Sequence, residues 1–238
     1  MYAVELVGAR VVVVQNAEDI SNQRHDIFSI CDDRGTDKRY YLYPILRRFS
    51  SKHGNVMLNI EQTDAAWSID SLYKDTSDVA FLMVHETENL DPDLLSWKTI
   101  YSTCWCAYIH KNNHLYSRDH ITLKDLDNEP IVMLSSVASR HYSICVDEMF
   151  AREGIEPKII SRVSNNASLS FAMHQGNGII LANELLAVPD HQETKLFHLP
   201  GTTDGLCIVW KKHSQNPCVS EFVQISEDFF KNDYVFSY

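Results

Sequence analysis

The stretch VSNNASLSFAMHQGNGIIL (163–181) crowds Ser164, Asn165, Asn166 and Ser168 around the start of a short helix. Side chains of this kind donate and accept hydrogen bonds without carrying charge. They suit either the capping of a helix or the holding of a small polar ligand. One cap needs one side chain, so the surplus is expected to contact a ligand. A second group, LSSVASRHY (134–142), repeats the pattern at a strand-to-helix junction. Ser135, Ser136 and Ser139 can donate to a ligand there, and Arg140 can clamp a carboxylate through two parallel hydrogen bonds. The plain alternative is an N-cap and a solvated arginine. A third group, DDRGTDK (32–38), also precedes a helix. Free N–H groups and the positive end of a helix dipole suit a carboxylate or phosphate at such a place. Asp32, Asp33, Thr36 or Asp37 can instead cap that helix. Asp32 and Asp33 together favour an amine-bearing or metal-chelated ligand, unless Arg34 and Lys38 offset them.

Catalytic and metal chemistry find less support. Six cysteines and eleven histidines are available, yet no local nucleophile signature surrounds any cysteine. G-x-S-x-G, P-loop and G-x-G-x-x-G motifs are absent from the sequence, and Gly176-Asn177-Gly178 is too short for a phosphate cradle. A glycine that ends a helix in the left-handed conformation explains it better. In CWCAYIHKNNH, Cys104, Cys106, His110 and His114 are all metal-ligating types. Strung along an extended segment they would span about 33 Å, too far to meet on one ion without a turn. Reduced core cysteines and surface histidines are expected instead, with no metal and no cofactor.

The elements that position these groups alternate. An apolar strand at 26–31 leads to a helix with Tyr40, Leu42, Ile45, Leu46 and Phe49 on one face, at spacings near 3.6. Strand 55–61, helix 64–74 and strand 78–84 follow, the order of a largely parallel α/β sheet. DPDLLSW (91–97) reads as helix-like, and 99–110 as one long strand travelling between two lobes. A small helix is expected within 119–128. A second α/β set comprises strand 131–136, helix 139–152, strand 157–164, helix 167–175 and strand 178–183. An apolar strand at 206–212 and an amphipathic helix at 218–231, burying Phe222, Ile225, Phe229 and Phe230, close the chain. Two α/β lobes joined near 98–106 and 200–208 would form a hinge, with a ligand cleft where strand ends and helix N-termini meet.

Composition bounds the functions open to such a chain. With 45% hydrophobic and 22% charged residues in 238, it is an ordinary globular sequence. No apolar run approaches the ~20 residues that span a bilayer, and no signal-peptide pattern opens the sequence. A cytoplasmic location with reduced thiols and no membrane partner is expected. Basic residues number 21 against 32 acidic ones, a net charge of −11, and they are scattered. A duplex-binding surface would show a basic stripe.

The segments YLYPILRRFSSKHGNVMLNI (41–60), SDVAFLMV (77–84) and IHKNNHLYSRDHITLKDLDNEPIVMLSS (109–136) resemble, in order and spacing, the effector-binding domain of LysR-type transcriptional regulators. FAREGIEPKIISRVSNNASLSFAMHQGNGIILANELL (150–186) and LCIVWKK (206–212) extend the resemblance over roughly residues 26–230. GARVVVVQNAEDI (8–20) resembles the end of the family's linker helix, with the winged helix-turn-helix expected upstream missing. Two places depart from the family's pattern, Cys31-Asp32-Asp33 after the first strand and the turn KDTSD before the third; they bear on ligand type.

The resemblance implies a two-lobed, type 2 periplasmic-binding-protein-like α/β fold. Residues 1–24 would be a linker-helix remnant, 25–100 and 207–238 the first lobe, and 101–206 the second with the hinge crossings. It implies a non-enzymatic sensor whose small polar metabolite effector, bound between the lobes, changes oligomer geometry and so transcription. Asp33, Gly35 and Thr36 would line the pocket, since the family's equivalent loop does. Ser135, Ser136, Ser139, Arg140, Ser164, Asn165, Asn166 and Ser168 would complete it. A homodimer or homotetramer is implied, reaching DNA only through a helix-turn-helix absent from this chain. A solute-binding protein of the same fold is disfavoured by the missing secretion signal, and a small-molecule enzyme by the lack of convergent catalytic groups.

Overall fold

The computed structural model describes residues 27–33, 35–186 and 193–235; the linker-helix reading of 1–24 lies outside them. These residues fall into two compact units. The first contains 27–33, 38–101 and 206–235, and the second contains 35–37, 102–186 and 193–205.

In the first unit, β1 (Ile27–Asp33), β2 (Met57–Thr63), β3 (Val79–Met83), β4 (Leu95–Thr103) and β10 (Asp204–Lys211) form one sheet, ordered β2-β1-β3-β10-β4. β1 runs parallel to both β2 and β3, and β10 antiparallel to β3. The 3.6-residue period of α1 (Leu42–Lys52) buries Leu42, Ile45, Leu46 and Phe49. Helix α5 (Cys218–Asn232) buries Phe222, Val223, Ile225, Phe229 and Phe230. Phe28 of β1 meets Phe222 at 4.9 Å and Phe49 at 5.1 Å between ring centroids, so the two helices close over the sheet on aromatic contacts. Each such burial is worth about 1.5–3 kcal/mol. Helix α2 (Ala65–Tyr73) is capped by Asp64, whose carboxylate accepts from Trp67 N–H at 2.8 Å.

In the second unit, β5 (Cys106–His110), β6 (Pro130–Leu134), β7 (Lys158–Val163), β8 (Ile179–Ala182) and β9 (Thr194–His198) are ordered β7-β6-β8-β5-β9. The parallel neighbours of β6 are β7 and β8, reached through α3 (Arg140–Glu153) and α4 (Asn166–His174). β5 pairs antiparallel with β8 and β9. Its core includes Tyr108, Ile131, Met133, Val146, Phe150, Ile180 and Leu181, all buried.

Four local readings of the sequence need correction. Residues 99–110 are two strands, interrupted at Cys104-Trp105 and assigned to different sheets. DPDLLSW is a turn followed by the start of β4: Leu95 N–H bonds to Asp91 C=O, and sheet pairing beside β10 overrides local helix preference. Only a single 3-10 turn, Leu123–Leu126, occurs within 119–128, fixed by a reciprocal Thr122–Asp125 capping box. Finally, β9 was not anticipated. It is a short edge strand of mixed polarity, TKLFH, held by its pairing with β5.

Candidate functional site at the carboxyl edge of the second sheet

β6 and β7 end in register at Leu134 and Val163, and Ser135 N–H donates to Val163 C=O at 2.8 Å. The polar segments after the two strands therefore leave the sheet side by side. Each turns at once into a helix. Ser139 caps α3, its hydroxyl accepting from Tyr142 N–H at 3.1 Å, and Ser135 Oγ accepts from Ala138 N–H at 3.2 Å. Asn165 caps α4, its carboxamide oxygen accepting from Ser168 N–H at 2.8 Å while its NH2 group donates to Ser164 Oγ. Two helix N-termini thus open at one sheet edge, where their dipoles favour negative charge. Ser136, Arg140, Ser164 and Asn165 are exposed there, and Ser135, Ser139, Asn166 and Ser168 are half-buried. At the far end of α4 the left-handed Gly176 (φ 66°) donates to Met173 C=O and Asn177 to Ala172 C=O, a Schellman closure that turns the chain into β8.

Residues 35–37 belong to the same unit and are buried. Thr36 forms an antiparallel bridge with Leu186, and Asp37 N–H donates to Leu185 C=O at 2.8 Å. Gly35 lies against Asn166: a Cβ at Gly35 would come within 2.1 Å of Asn166 Nδ2 and 2.4 Å of its Cγ. The loop is thereby fastened at two points, the start of α4 and the segment that follows β8. That segment holds residues the sequence reading missed. Buried Asn183 accepts from Leu185 N–H through Oδ1 (2.9 Å), donates to Asp204 through Nδ2 (3.1 Å), and its carbonyl accepts from the Tyr108 hydroxyl (2.8 Å). The polar pair Asn183-Glu184, directly after the apolar run IILA, is the signal that could have found it.

Asp33 ends β1 in the first unit, half-buried, with its carbonyl accepting from Lys38 Nζ. Its neighbour Asp32 is fully buried, 3.2 Å from Lys38 Nζ, and accepts from the Tyr41 hydroxyl. Burial pushes the Asp32 carboxyl up to about 6, against the opposing pull of Lys38 and Tyr41. The N-cap position of α1 is Tyr41, without a side-chain cap bond. The chain's own Lys38 supplies the cation beside Asp32, which weakens the case for an amine-bearing ligand there.

Cys106, Glu184 and His198 bring ligating atoms within 4.8 Å of one another. The Cys106 thiol is fully buried; burial first, and then Glu184, push its pKa far up, so it is a poor nucleophile. Of the histidines expected at the surface, His114 is exposed but His110 is buried, with Nδ1 accepting from Asn112 N–H and Nε2 3.5 Å from Glu193.

A model of the LysR substrate binding domain matches residues 36–231. The chain belongs to this family. The HTH-type transcriptional regulator AlsR of Bacillus subtilis (strain 168) is 23% identical over 195 residues, 78% of this chain and 61% of that protein. The uncharacterized HTH-type transcriptional regulator YybE of the same organism is 21% identical over 152 residues, 64% and 50% of the two chains. The match thus spans about half to three-fifths of the length of these curated relatives. Among solved structures, the effector binding domain of QuiR in complex with shikimate superposes with a TM-score of 0.73 at 16% identity, covering 89% of this chain and all of that one. The Synechocystis PCC6803 CcmR regulatory domain in complex with 2-PG gives 0.70 at 13% identity, over 87% and 98%. Full-length CbnR complexed with its target DNA gives 0.72 at 15%, over 91% and 75%. These likenesses establish the fold, the two-sheet, type 2 periplasmic-binding-protein-like α/β fold of LysR effector-binding domains.

Within this LysR domain the predicted residues divide in two. Gly35, Thr36, Ser135, Ser136, Ser139, Arg140, Ser164, Asn165, Asn166 and Ser168 all lie in the second unit, and direct contacts join Gly35 to Asn166, Ser135 to Ser139, and Asn165 to Ser164 and Ser168. Asp33 lies in the first unit. In the first unit, too, a groove of about 500 Å³ is lined by Lys98, Lys211, Lys212 and the start of α5. Its cations are already engaged, Lys98 with Glu227, Lys211 with Asp75 at 2.7 Å, and Lys212 with the Pro92 carbonyl at 2.9 Å. No helix among the described residues is long and apolar enough to cross a membrane.

Proposed function

We propose that this chain is the effector-sensing module of a LysR-type transcription regulator, working in the cytoplasm without catalytic activity. A small polar metabolite, best an acid, binds at the carboxyl edge of the second sheet. One observation carries this reading: two capped helix N-termini, two serine-rich segments and the buried loop 35–37 meet along the edge left by the parallel strands. In open α/β sheets that edge is where ligands bind. Exposed Ser136 and Ser164 supply hydroxyls that are not the cap acceptors, and Arg140 supplies a guanidinium suited to a carboxylate. QuiR with shikimate and CcmR with 2-PG are fold relatives with small ligands, which supports the size class.

Binding would favour one of two arrangements of the regulator in proportion to the ligand's differential affinity. Transmission to DNA would pass through homodimers or homotetramers and a helix-turn-helix domain. Sedimentation at micromolar concentration is expected to give a dimer or tetramer; a monomer alone contradicts that part. The binding claim is tested by thermal shift against a panel of small hydroxy acids, shikimate among them, and phosphate monoesters. A compound at 100 times its dissociation constant is expected to add about 2.7 kcal/mol. The S136A/S164A variant, which keeps the cap bonds Tyr142 N–H to Ser139 Oγ and Ser168 N–H to Asn165 Oδ1, is expected to lose that gain. Full stabilisation of the variant would refute the assignment.

A further inference from the structure

We propose that Cys106, Glu184 and His198 form a binding site for a zinc-class divalent transition metal ion, built across three strands of the second sheet. The register makes the arrangement. Cys106, first residue of β5, stands directly opposite His198 on β9 and opposite Ala182 on β8. Directly paired residues project to the same face of a sheet, with Cβ atoms about 4.5–5.5 Å apart. Glu184 lies two residues beyond Ala182, and its carboxylate reaches the His198 imidazole in a hydrogen bond. Thiol, carboxylate and imidazole thus converge, all within 4.8 Å. A tetrahedral ion with bonds of about 2.0–2.3 Å needs ligand atoms about 3.3–3.8 Å apart. Seating the ion requires the Glu184–His198 hydrogen bond to open and the sulfur to be approached, by side-chain rotation of Glu184 and His198.

The donor set selects the ion. One sulfur, one nitrogen and one oxygen donor suit Zn2+ or Co2+ and exclude a hard, all-oxygen ion such as Mg2+ or Ca2+. On binding, the Cys106 thiol loses its proton to solvent, so thiolate and carboxylate neutralise the two positive charges of the ion. Beyond the ligand Glu184, Asp204 places negative potential near the sulfur, unfavourable to a bare thiolate and favourable to a bound cation. The His198 side chain is 45% exposed and gives an entry path, while Glu184 at 2% and Cys106 at 0% form the floor. Three protein ligands leave a fourth position open to water or to an exogenous donor. Glu184 also directly precedes Leu185 and Leu186, which hold residues 36 and 37, so a bound ion would stiffen the anchor of the loop.

The site stands apart from effector binding and is tested without an effector. The chain, reduced and stripped of metal, is titrated with Co2+ under anaerobic conditions, and Zn2+ then competes for the site. One Co2+ per chain is expected, with a sulfur-to-cobalt charge-transfer absorption that Zn2+ abolishes. C106S and H198A are each expected to remove the absorption and weaken Zn2+ binding by about 100-fold or more. C145S, altered at a thiol on α3 outside the cluster, is expected to retain both. Absence of the absorption in the native chain, or its survival in C106S, overturns the proposal. If C106S fails to fold, H198A decides, since it alters a half-exposed side chain; unchanged binding there overturns the proposal as well.

Discussion

Gly35 shows how one missing methyl shapes this region. The three nearest neighbours of a Cβ built there are all Asn166 side-chain atoms, at 2.1–2.6 Å. G35A is therefore expected to cost about 1–3 kcal/mol in urea unfolding, the range for overpacking a closed contact. Adding N166A is expected to recover most of that loss. Equal stability of G35A and the native chain would show that the contact yields freely. The sequence marked Gly35 through its loop and family position; the steric reason for it lies on α4 and could not be read locally. Asp32 tests the electrostatics. Its carboxyl pKa rises from the ordinary 3.8 to about 6 in the folded state, so the folded state holds the proton more tightly than the unfolded one. Its stabilising contribution is then complete below about pH 3.8 and is lost as pH rises through 6. The stability difference between the native chain and D32N is expected to fall by on the order of 3 kcal/mol across that interval. A flat or rising difference would mean that Lys38 and Tyr41 outweigh burial.

At the scale of elements, the caps decide where α3 and α4 begin. S139A and N165A are each expected to lose about 1 kcal/mol, measured by chemical denaturation, with effects that add because the two caps serve different helices. G176A is expected to cost more than either. Its backbone is left-handed at φ 66°, and a Cβ would meet His110 Nδ1 at 2.7 Å. Apolar periodicity made α1 and α5 legible in advance, and continuous apolar runs did the same for β3, β6 and β8. The polar crowd at 164–168 announced a cap without choosing among Ser164, Asn165 and Asn166; the choice of Asn165 depends on backbone geometry at the strand exit. The break at Cys104-Trp105 was illegible for another reason. Both flanks favour strand, and only their pairing into separate sheets divides them.

Across the whole molecule, what could be read from the chain was the alternation of elements and the family that alternation suggests. What could not be read was convergence across the strands of one sheet. Cys104, Cys106, His110 and His114 drew notice because they are neighbours in sequence, yet the partners that meet Cys106 are Glu184 and His198, delivered by β8 and β9. The polar groups proposed for the effector could be picked out because each sits at a strand-to-helix junction, a local signal; parallel pairing of β6 and β7 brings the junctions after those two strands to one edge. The net charge of −11 would not draw an acidic effector, so under the proposed function its attraction would rest on the helix N-termini and Arg140. The most direct test of the account is hydrogen–deuterium exchange, read peptide by peptide, with and without a compound that stabilises the chain. Protection is expected in 135–140, 164–168 and 35–37; protection confined instead to the groove at 210–224, with those segments unchanged, would contradict it.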